Sequence, residues 1–263
     1  MTTLISPDLI FPPAFIFLLF GLMVGSFLNV CIYRLPRGES VVHPGSHCTK
    51  CGKAIRWYQN VPVISWIVLR AKCASCGDPI SIIYPLIEAA TGALFVAHYL
   101  WFGLDPILLP RLLFACALLV LALIDLEHRI LPNPITLGGI VVGFLFSFAF
   151  PPGWQASLIG ILLGGGVLFV VGELYLRVRG IEGMGMGDVK MLGMIGAFLG
   201  WKAVIVTIML ASVSGAIVGA ILMLAQKGDK QYPLPFGTFL SAAALVASFF
   251  GDAWMDWYVN QLG

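Results

Sequence analysis

The sequence predicts an all-α polytopic membrane protein of about eight transmembrane helices, with a small polar segment carrying four cysteines between the first and the second. Three observations lead there. Of 263 residues, 59% are hydrophobic and 11% charged, where a soluble domain carries roughly 25% charged residues. The apolar residues fall into long runs, and a helix of about 20 residues crosses a bilayer. The cations gather between the runs rather than within them. The net charge of +2 adds little, and no nucleic-acid partner is expected.

The first apolar run is Ala14 to Tyr33, and with what precedes it forms residues 1–33. The first basic residue is Arg34, so the charged start of a cleavable signal is not expected. Residues 34–80 form the polar segment. It holds seven of the fifteen Lys and Arg (Arg34, Arg37, Lys50, Lys53, Arg56, Arg70 and Lys72) and two acids, Glu39 and Asp78. Basic loops stay in the cytoplasm, which puts this segment inside and the N-terminus outside. Residues 81–263 supply the remaining runs: Ile82–Phe102, Ile107–Ile124, Ile135–Phe150, Ala156–Leu176, Met191–Leu199, Ala203–Ala225 and Phe236–Phe250. With eight spans both termini lie outside. Arg129, Arg177, Arg179, Lys190, Lys227 and Lys230 then fall inside, against Arg111 and Lys202 outside. The sixth run is short: nine residues cover about 14 Å at 1.5 Å per residue. It crosses only if the helix also uses residues 188–190 and 200–202, or if the bilayer is thin there. Gly21 and Gly25, Gly139 and Gly143, Gly196 and Gly200, and Gly215 and Gly219 have the spacing at which membrane helices pack closely.

Within the polar segment, Cys48-Thr-Lys-Cys51-Gly52 and Cys73-Ala-Ser-Cys76-Gly77 form two C-x2-C pairs separated by 21 residues. Two such knuckles bring four thiolates around one tetrahedral Zn²⁺. The alternatives are two disulfides, which a reducing cytoplasm disfavours, or four free thiols. A site with four protein ligands is closed, hence structural. Cys31 and Cys116 lie in apolar runs as small core residues. His43 and His47 read as surface residues.

Two carboxylates remain. Asp125 follows directly on the third run, in Leu123-Ile124-Asp125-Leu126-Glu127-His128-Arg129-Ile130-Leu131-Pro132-Asn133. Asp188 follows the glycine-rich stretch Gly183-Met184-Gly185-Met186-Gly187 and opens the sixth. Ionisable residues beside a membrane core are functional candidates. The topology sets both at one face of the membrane. Two carboxylates in one site share a proton, so one member takes a proton from water while the other donates to a peptide carbonyl. The bland readings are a helix cap for Asp188 and an i,i+4 pair with Arg129 for Asp125. Glycines at 185 and 187 leave room for an extended peptide beside Asp188. No nucleophile elbow, zinc-protease helix or phosphate loop is present.

Three stretches, Gly25-Ser26-Phe27-Leu28-Asn29-Val30-Cys31-Ile32-Tyr33-Arg34-Leu35-Pro36, the Asp125 segment, and Gly185-Met186-Gly187-Asp188-Val189-Lys190, occur in order with the cysteine pairs after the first. Together they resemble the bacterial type IV prepilin peptidase family, and Tyr84–Gly92 resembles the family's second-span start. The resemblance implies a bifunctional inner-membrane enzyme. It removes the basic leader of type IV prepilins or type II secretion pseudopilins at the cytoplasmic face, then methylates the new N-terminal amine with S-adenosylmethionine. It implies Asp125 and Asp188 as the protease pair, Gly185 and Gly187 as the substrate-side glycines, and Cys48, Cys51, Cys73 and Cys76 as zinc ligands. For S-adenosylmethionine it points to the polar segment and the second-span start, with Glu88 and Gly92 as candidates; helix packing is the other reading of Gly92. Glu39, Glu88 and Asp78 are candidates to meet the basic leader. The expected partners are the pilin substrates and membrane lipids. Two rivals stay open: a GxGD membrane protease with another substrate, and an ion- or proton-coupled transporter using the same aspartates. A transporter more often places such residues at the bilayer midplane between repeated halves.

Overall fold

The computed structural model describes residues 7–180, 185–225 and 234–262. Gly183 and Met184 of the glycine-rich stretch, and Lys227 and Lys230 of the last predicted inner loop, lie outside the described residues. Among those described the structure is helical, with two isolated bridges, His47 to Ala54 and Lys72 to Pro79, in place of strands. The chain divides into two compact units, Met1–Leu108 and Leu109–Gly263. By packing, the second long helix goes with the first rather than with the helices after it.

In the first unit, α1 (Pro7–Arg34) packs along α3 (Ile83–Phe102). The small residues explain the approach. A Cβ at Gly21 would lie 2.8 Å from Gly92 Cα, and one at Gly25 would lie 2.7 Å from Glu88 Cα. Phe17 stacks on Tyr99 with ring centroids 4.8 Å apart. Between these helices runs the polar segment, which contains the short helix α2 (Ile64–Val68).

The second unit holds α4 (Leu108–His128), α5 (Asn133–Phe146), α6 (Trp154–Ile161), α7 (Leu168–Arg179), α8 (Met186–Ala225) and α9 (Phe236–Leu262). Leu162–Val167 joins α6 to α7 as a π-helical turn. The start of α8 is its core. Residues 191–200 are all buried, and α5, α6 and α9 pack on this helix. A helix apolar on every side belongs in an interior. This is why the sixth run shows no polar face.

Among the described residues five helices are long and apolar enough to cross a membrane: Pro13–Arg37, Ile83–Phe102, Leu108–His128, Trp154–Arg179 and Met186–Leu224. Asn133–Phe146 and Phe236–Gly251 are shorter apolar helices. Met186–Leu224 contains two of the predicted runs, because Gly200 interrupts it at φ 78° and ψ 175°. The short sixth run is therefore extended on one side only: it starts at Met186 rather than Met191, so that Met186 to Leu199 rises about 20 Å, while the break at Gly200 keeps residues 200–202 from continuing it. The chain is a multi-pass membrane protein.

The tightest helix contact joins α6 to α8. A Cβ at Gly160 would lie 2.6 Å from Gly196 O, and one at Gly196 would overlap the Gly160 carbonyl. Gly138, in α5, has open space around it. Gly196→Ala is expected to destabilise the protein by about 1–3 kcal/mol. Gly138→Ala is expected to stabilise by roughly 0.5–1 kcal/mol, as a helix gains when glycine leaves its interior. Thermal unfolding in detergent checks the opposite signs; equal shifts would refute the close packing.

Candidate active site and metal centre

Asp125 lies in the last turn of α4. That helix stops because Arg129 takes a left-handed conformation, φ 56°, and returns its N–H to Asp125 O at 2.9 Å, which closes the last carbonyls as an αL cap does. Leu131-Pro132 then turns the chain into α5. Asp188 sits in the first turn of α8, its N–H bonded to Gly185 O at 3.1 Å. A carboxylate there also meets the free N–H groups of the helix start.

The fold brings the two aspartates together. Asp188 is half-buried and Asp125 is 5% exposed, and they are close enough for their charges to repel. Asp125 Oδ2 accepts the Thr238 N–H at 2.7 Å and lies 3.1 Å from Thr238 Oγ1. Thr238 is in the first turn of α9. Arg129 acts on Asp125 through its charge, and the Gly237 N–H also bonds the carboxylate, but these two contacts to Oδ2 come from Thr238. A second contact ties the surrounding motifs together: Lys190 Nζ, in α8, donates to Asn133 Oδ1, in α5, at 2.9 Å.

The two glycines before Asp188 differ. Beside Gly185 a Cβ would meet Asp188 Oδ2 at 3.4 Å, and the residue is exposed. Beside Gly187 it would meet Leu131 Cβ at 3.1 Å. The space at Gly187 is thus taken by the chain's own Leu131. Gly237 has the same neighbour: a Cβ there would lie 3.1 Å from Leu131 Cδ1 and 3.0 Å from Asp125 Oδ2. Gly237 and Thr238 escaped the sequence reading. They carry no charge, and 112 residues lie between Asp125 and Thr238. The one signal was Pro235-Phe236-Gly237-Thr238 at the head of an apolar run.

The first unit holds the metal-ligating candidates. Cys48, Cys51, Cys73 and Cys76 bring their sulfurs within 4.8 Å of one another, and all are free thiols. Cys48 Sγ and Cys76 Sγ are 3.9 Å apart, near the edge of about 3.8 Å that follows from a tetrahedron with 2.3 Å Zn–S bonds. The N–H groups of Cys76 and Ser75 hold the Cys73 thiol down at about 6, favouring the thiolate that binds metal. Against the opposing Asp78 N–H, partial desolvation and the sulfurs of Cys73, Cys51 and Cys48 push Cys76 up to about 12. A divalent cation relieves this crowding of negative charge. The donor set and its spacing fit zinc. His43 and His47 are exposed, as expected.

Beside the cysteines a cavity of ≈ 400 Å³ is lined by Asn29, Arg34, Val63, Trp66, Tyr84 and Glu88, among others. Two opposite charges are buried in its wall. Arg34, 5% exposed, donates to Ser40 O at 2.9 Å and Gly45 O at 3.4 Å. Glu88, 8% exposed, accepts the Val63 N–H at 2.7 Å. Val63 holds φ 62°, a strained conformation for a β-branched residue. Gly92 is a packing residue, against Gly21. Of the acids expected to meet a basic leader, Glu88 is buried, Asp78 lies 3.9 Å from Lys50, and Glu39 is exposed.

Residues 19–102 match the Bacterial Peptidase A24 N-terminal domain, and residues 112–220, which include both aspartates, match the Type IV leader peptidase family. Among curated relatives, a "Prepilin leader peptidase/N-methyltransferase" from Stutzerimonas stutzeri is 37% identical over 92% of this chain and 92% of its own length. One of the same name from Pseudomonas aeruginosa is 35% identical over 96% of each chain. Another, from Myxococcus xanthus, is 43% identical over 82% of this chain and 65% of its own length. No solved structure matches significantly.

Elemental analysis of the purified protein is expected to find one zinc per chain. Cys73→Ser should lose most of it and lower thermal stability. Full zinc content in that variant would overturn the four-cysteine centre.

Proposed function

The chain belongs to the type IV leader peptidase family, and on that premise we propose that it cleaves the leader of type IV prepilins, or of type II secretion pseudopilins, and methylates the new N-terminus. It is an enzyme of peptidase and methyltransferase type. The observation that carries the peptidase reading is the meeting of Asp125, in the last turn of α4, with Asp188, in the first turn of α8.

In this reading the pair works on a water held between it and the scissile carbonyl. One carboxylate accepts a proton from the water as the new C–O bond forms, and the other gives its proton to the carbonyl oxygen. The tetrahedral adduct then collapses. The C–N bond breaks, the proton taken from water passes to the leaving amine, and the carbonyl oxygen returns its proton to the second aspartate. Gly185, exposed beside Asp188, is the place for an extended substrate strand. The enzyme would lie in the bacterial inner membrane with the cysteine segment and both aspartates on the cytoplasmic side and both termini outside. The excess of Lys and Arg in residues 34–80 supports that orientation. A prepilin keeps its basic leader on the same side, and Glu39 is the acid free to meet it.

For the second activity, S-adenosylmethionine would supply an electrophilic methyl group. The cavity beside the cysteines suits it by size and by charge, with Glu88 toward the sulfonium and amine and Arg34 toward the carboxylate. Zinc at the four cysteines would fix the walls of that cavity. A polar segment of about 47 residues cannot build a sufficient core of its own.

Purified wild type, Asp125→Asn and Asp188→Asn would be incubated with a prepilin in detergent, with mass spectrometry following leader loss and methyl gain. Each Asn variant is expected to cleave at least about 10³-fold more slowly yet still methylate a pre-cleaved pilin. Normal cleavage by either would remove that aspartate from the mechanism. Cleavage in detergent, where no gradient exists, also separates this reading from a transporter. Glu88→Gln is expected to slow methylation at least about tenfold and leave cleavage at the wild-type rate; unchanged methylation would move the methyl-donor site away from Glu88.

A further inference from the structure

We propose that Thr238 is a positioning residue of the aspartyl pair: it holds Oδ2 of Asp125 and leaves Oδ1 as the oxygen that takes the proton of the attacking water. The inference rests on the peptidase reading above and assigns a division of labour within its carboxylate.

The geometry is built for this contact. Both donors of Thr238 address one oxygen. Its N–H lies 2.7 Å from Asp125 Oδ2 and 3.2 Å from Pro235 O, so the carboxylate takes the shorter branch. At the first turn of a helix such an N–H has no i−4 carbonyl within the helix to bond, and a negative charge there is favoured. Gly237 permits the approach. A side chain at that position would press on Asp125 Oδ2 from 3.0 Å and on Leu131 Cδ1 from 3.1 Å. Leu131 belongs to the α4–α5 connection and also fills the space beside Gly187, one residue before Asp188. One leucine therefore spaces the turn carrying Thr238 and the turn carrying Asp188.

The hydroxyl adds a property the backbone N–H lacks. Thr238 Oγ1 lies 3.1 Å from Asp125 Oδ2 and 3.1 Å from Ala122 O. It has one proton and two acceptors. While Asp125 is an anion, the charged oxygen is the better acceptor. Once Asp125 has taken the water's proton, the hydroxyl can turn to Ala122 O without stranding a buried polar group. Thr238 thus stays satisfied through both halves of the proton cycle, and Asp125 keeps its orientation during both. Among the described residues the charged groups acting on Asp125 are Asp188, from α8, and Arg129, which follows α4; from α9 the neutral donors are the N–H and hydroxyl of Thr238, with the Gly237 N–H beside them.

A packing role and a donor role predict opposite orders for the same substitutions. Valine keeps the shape and methyl of threonine but loses the hydroxyl. Serine keeps the hydroxyl and loses the methyl. Alanine lacks both and so differs from serine only in the hydroxyl. Cleavage of a prepilin would be measured for Thr238→Val, Thr238→Ser, Thr238→Ala and Asp125→Asn, with thermal unfolding and methylation of a pre-cleaved pilin in the same preparations to report folded enzyme. The expected result is kcat within about threefold of wild type for Ser and lowered roughly 10- to 100-fold for Val and Ala, the size of effect seen when an outer partner of a reactive group is removed. KM should stay constant. Val at or above Ser would overturn the donor role. The Ala–Ser comparison decides in the same way should Val not fold, and equal rates for those two would also overturn it. Wild-type cleavage by Asp125→Asn would instead overturn the aspartyl reading and this inference with it; an inactive Asp125→Asn beside a fully active Thr238→Val would overturn this inference alone.

Discussion

Holding Asp125 next to Asp188 in an apolar surrounding is the constraint to which the second unit is fitted. A charge taken out of water needs hydrogen bonds or neutralisation, and two like charges in one place resist being held there. Several irregular features serve that need. Arg129 accepts a left-handed backbone so that α4 can end just beyond Asp125. The first turn of α9 brings an N–H and a hydroxyl to the carboxylate, and Gly237 carries no side chain because that space holds Asp125 Oδ2 and Leu131. Asp188 sits at a helix start, where negative charge is least unfavourable.

The buried beginning of α8 converts these local contacts into a rigid frame. It is the interior helix of the unit, and backbone-to-backbone contact between Gly160 and Gly196 lets α6 lie directly against it. In lipid the usual drive to bury apolar surface is weak between helices, and close packing of small residues replaces it. The break at Gly200 ends this buried stretch and frees the chain to leave the core in a new direction. A carboxylate at the head of such a helix has little freedom to move.

The first unit meets a different problem. Its polar segment has too few residues for a core of its own, and four sulfurs gathered within 4.8 Å of one another form a group that could hold a metal ion there. The same segment closes a cavity over α1 and α3, with a buried acid and a buried base in its wall. Strain at Val63 is the local consequence: its backbone turns to give Glu88 a hydrogen bond. The two units thus hold their polar groups in place by different means.

The features legible in the sequence were those with a short repeat or a strong composition. Apolar runs of spanning length gave the membrane helices, because lipid forces every backbone polar group to be satisfied within a helix. Two C-x2-C pairs gave the cysteine centre, because the ligands of each knuckle are neighbours in the chain. Asp125 and Asp188 stood out because each sits where a long apolar run meets a polar connection. Thr238 and Gly237 could not be found this way. A hydroxyl and a missing side chain leave no mark in an apolar run, and their importance comes from a contact across 112 intervening residues. Likewise Gly187 read as room for a substrate, and only the fold filled that room with Leu131. The sequence by itself determined the class, the apolar helices and the four-cysteine group, since these depend on local spacing and on solvation. Which groups touch, which glycines are filled, and which oxygen of Asp125 is held were decided by the tertiary structure, since helix packing alone brings the ends of α4, α8 and α9 to one point.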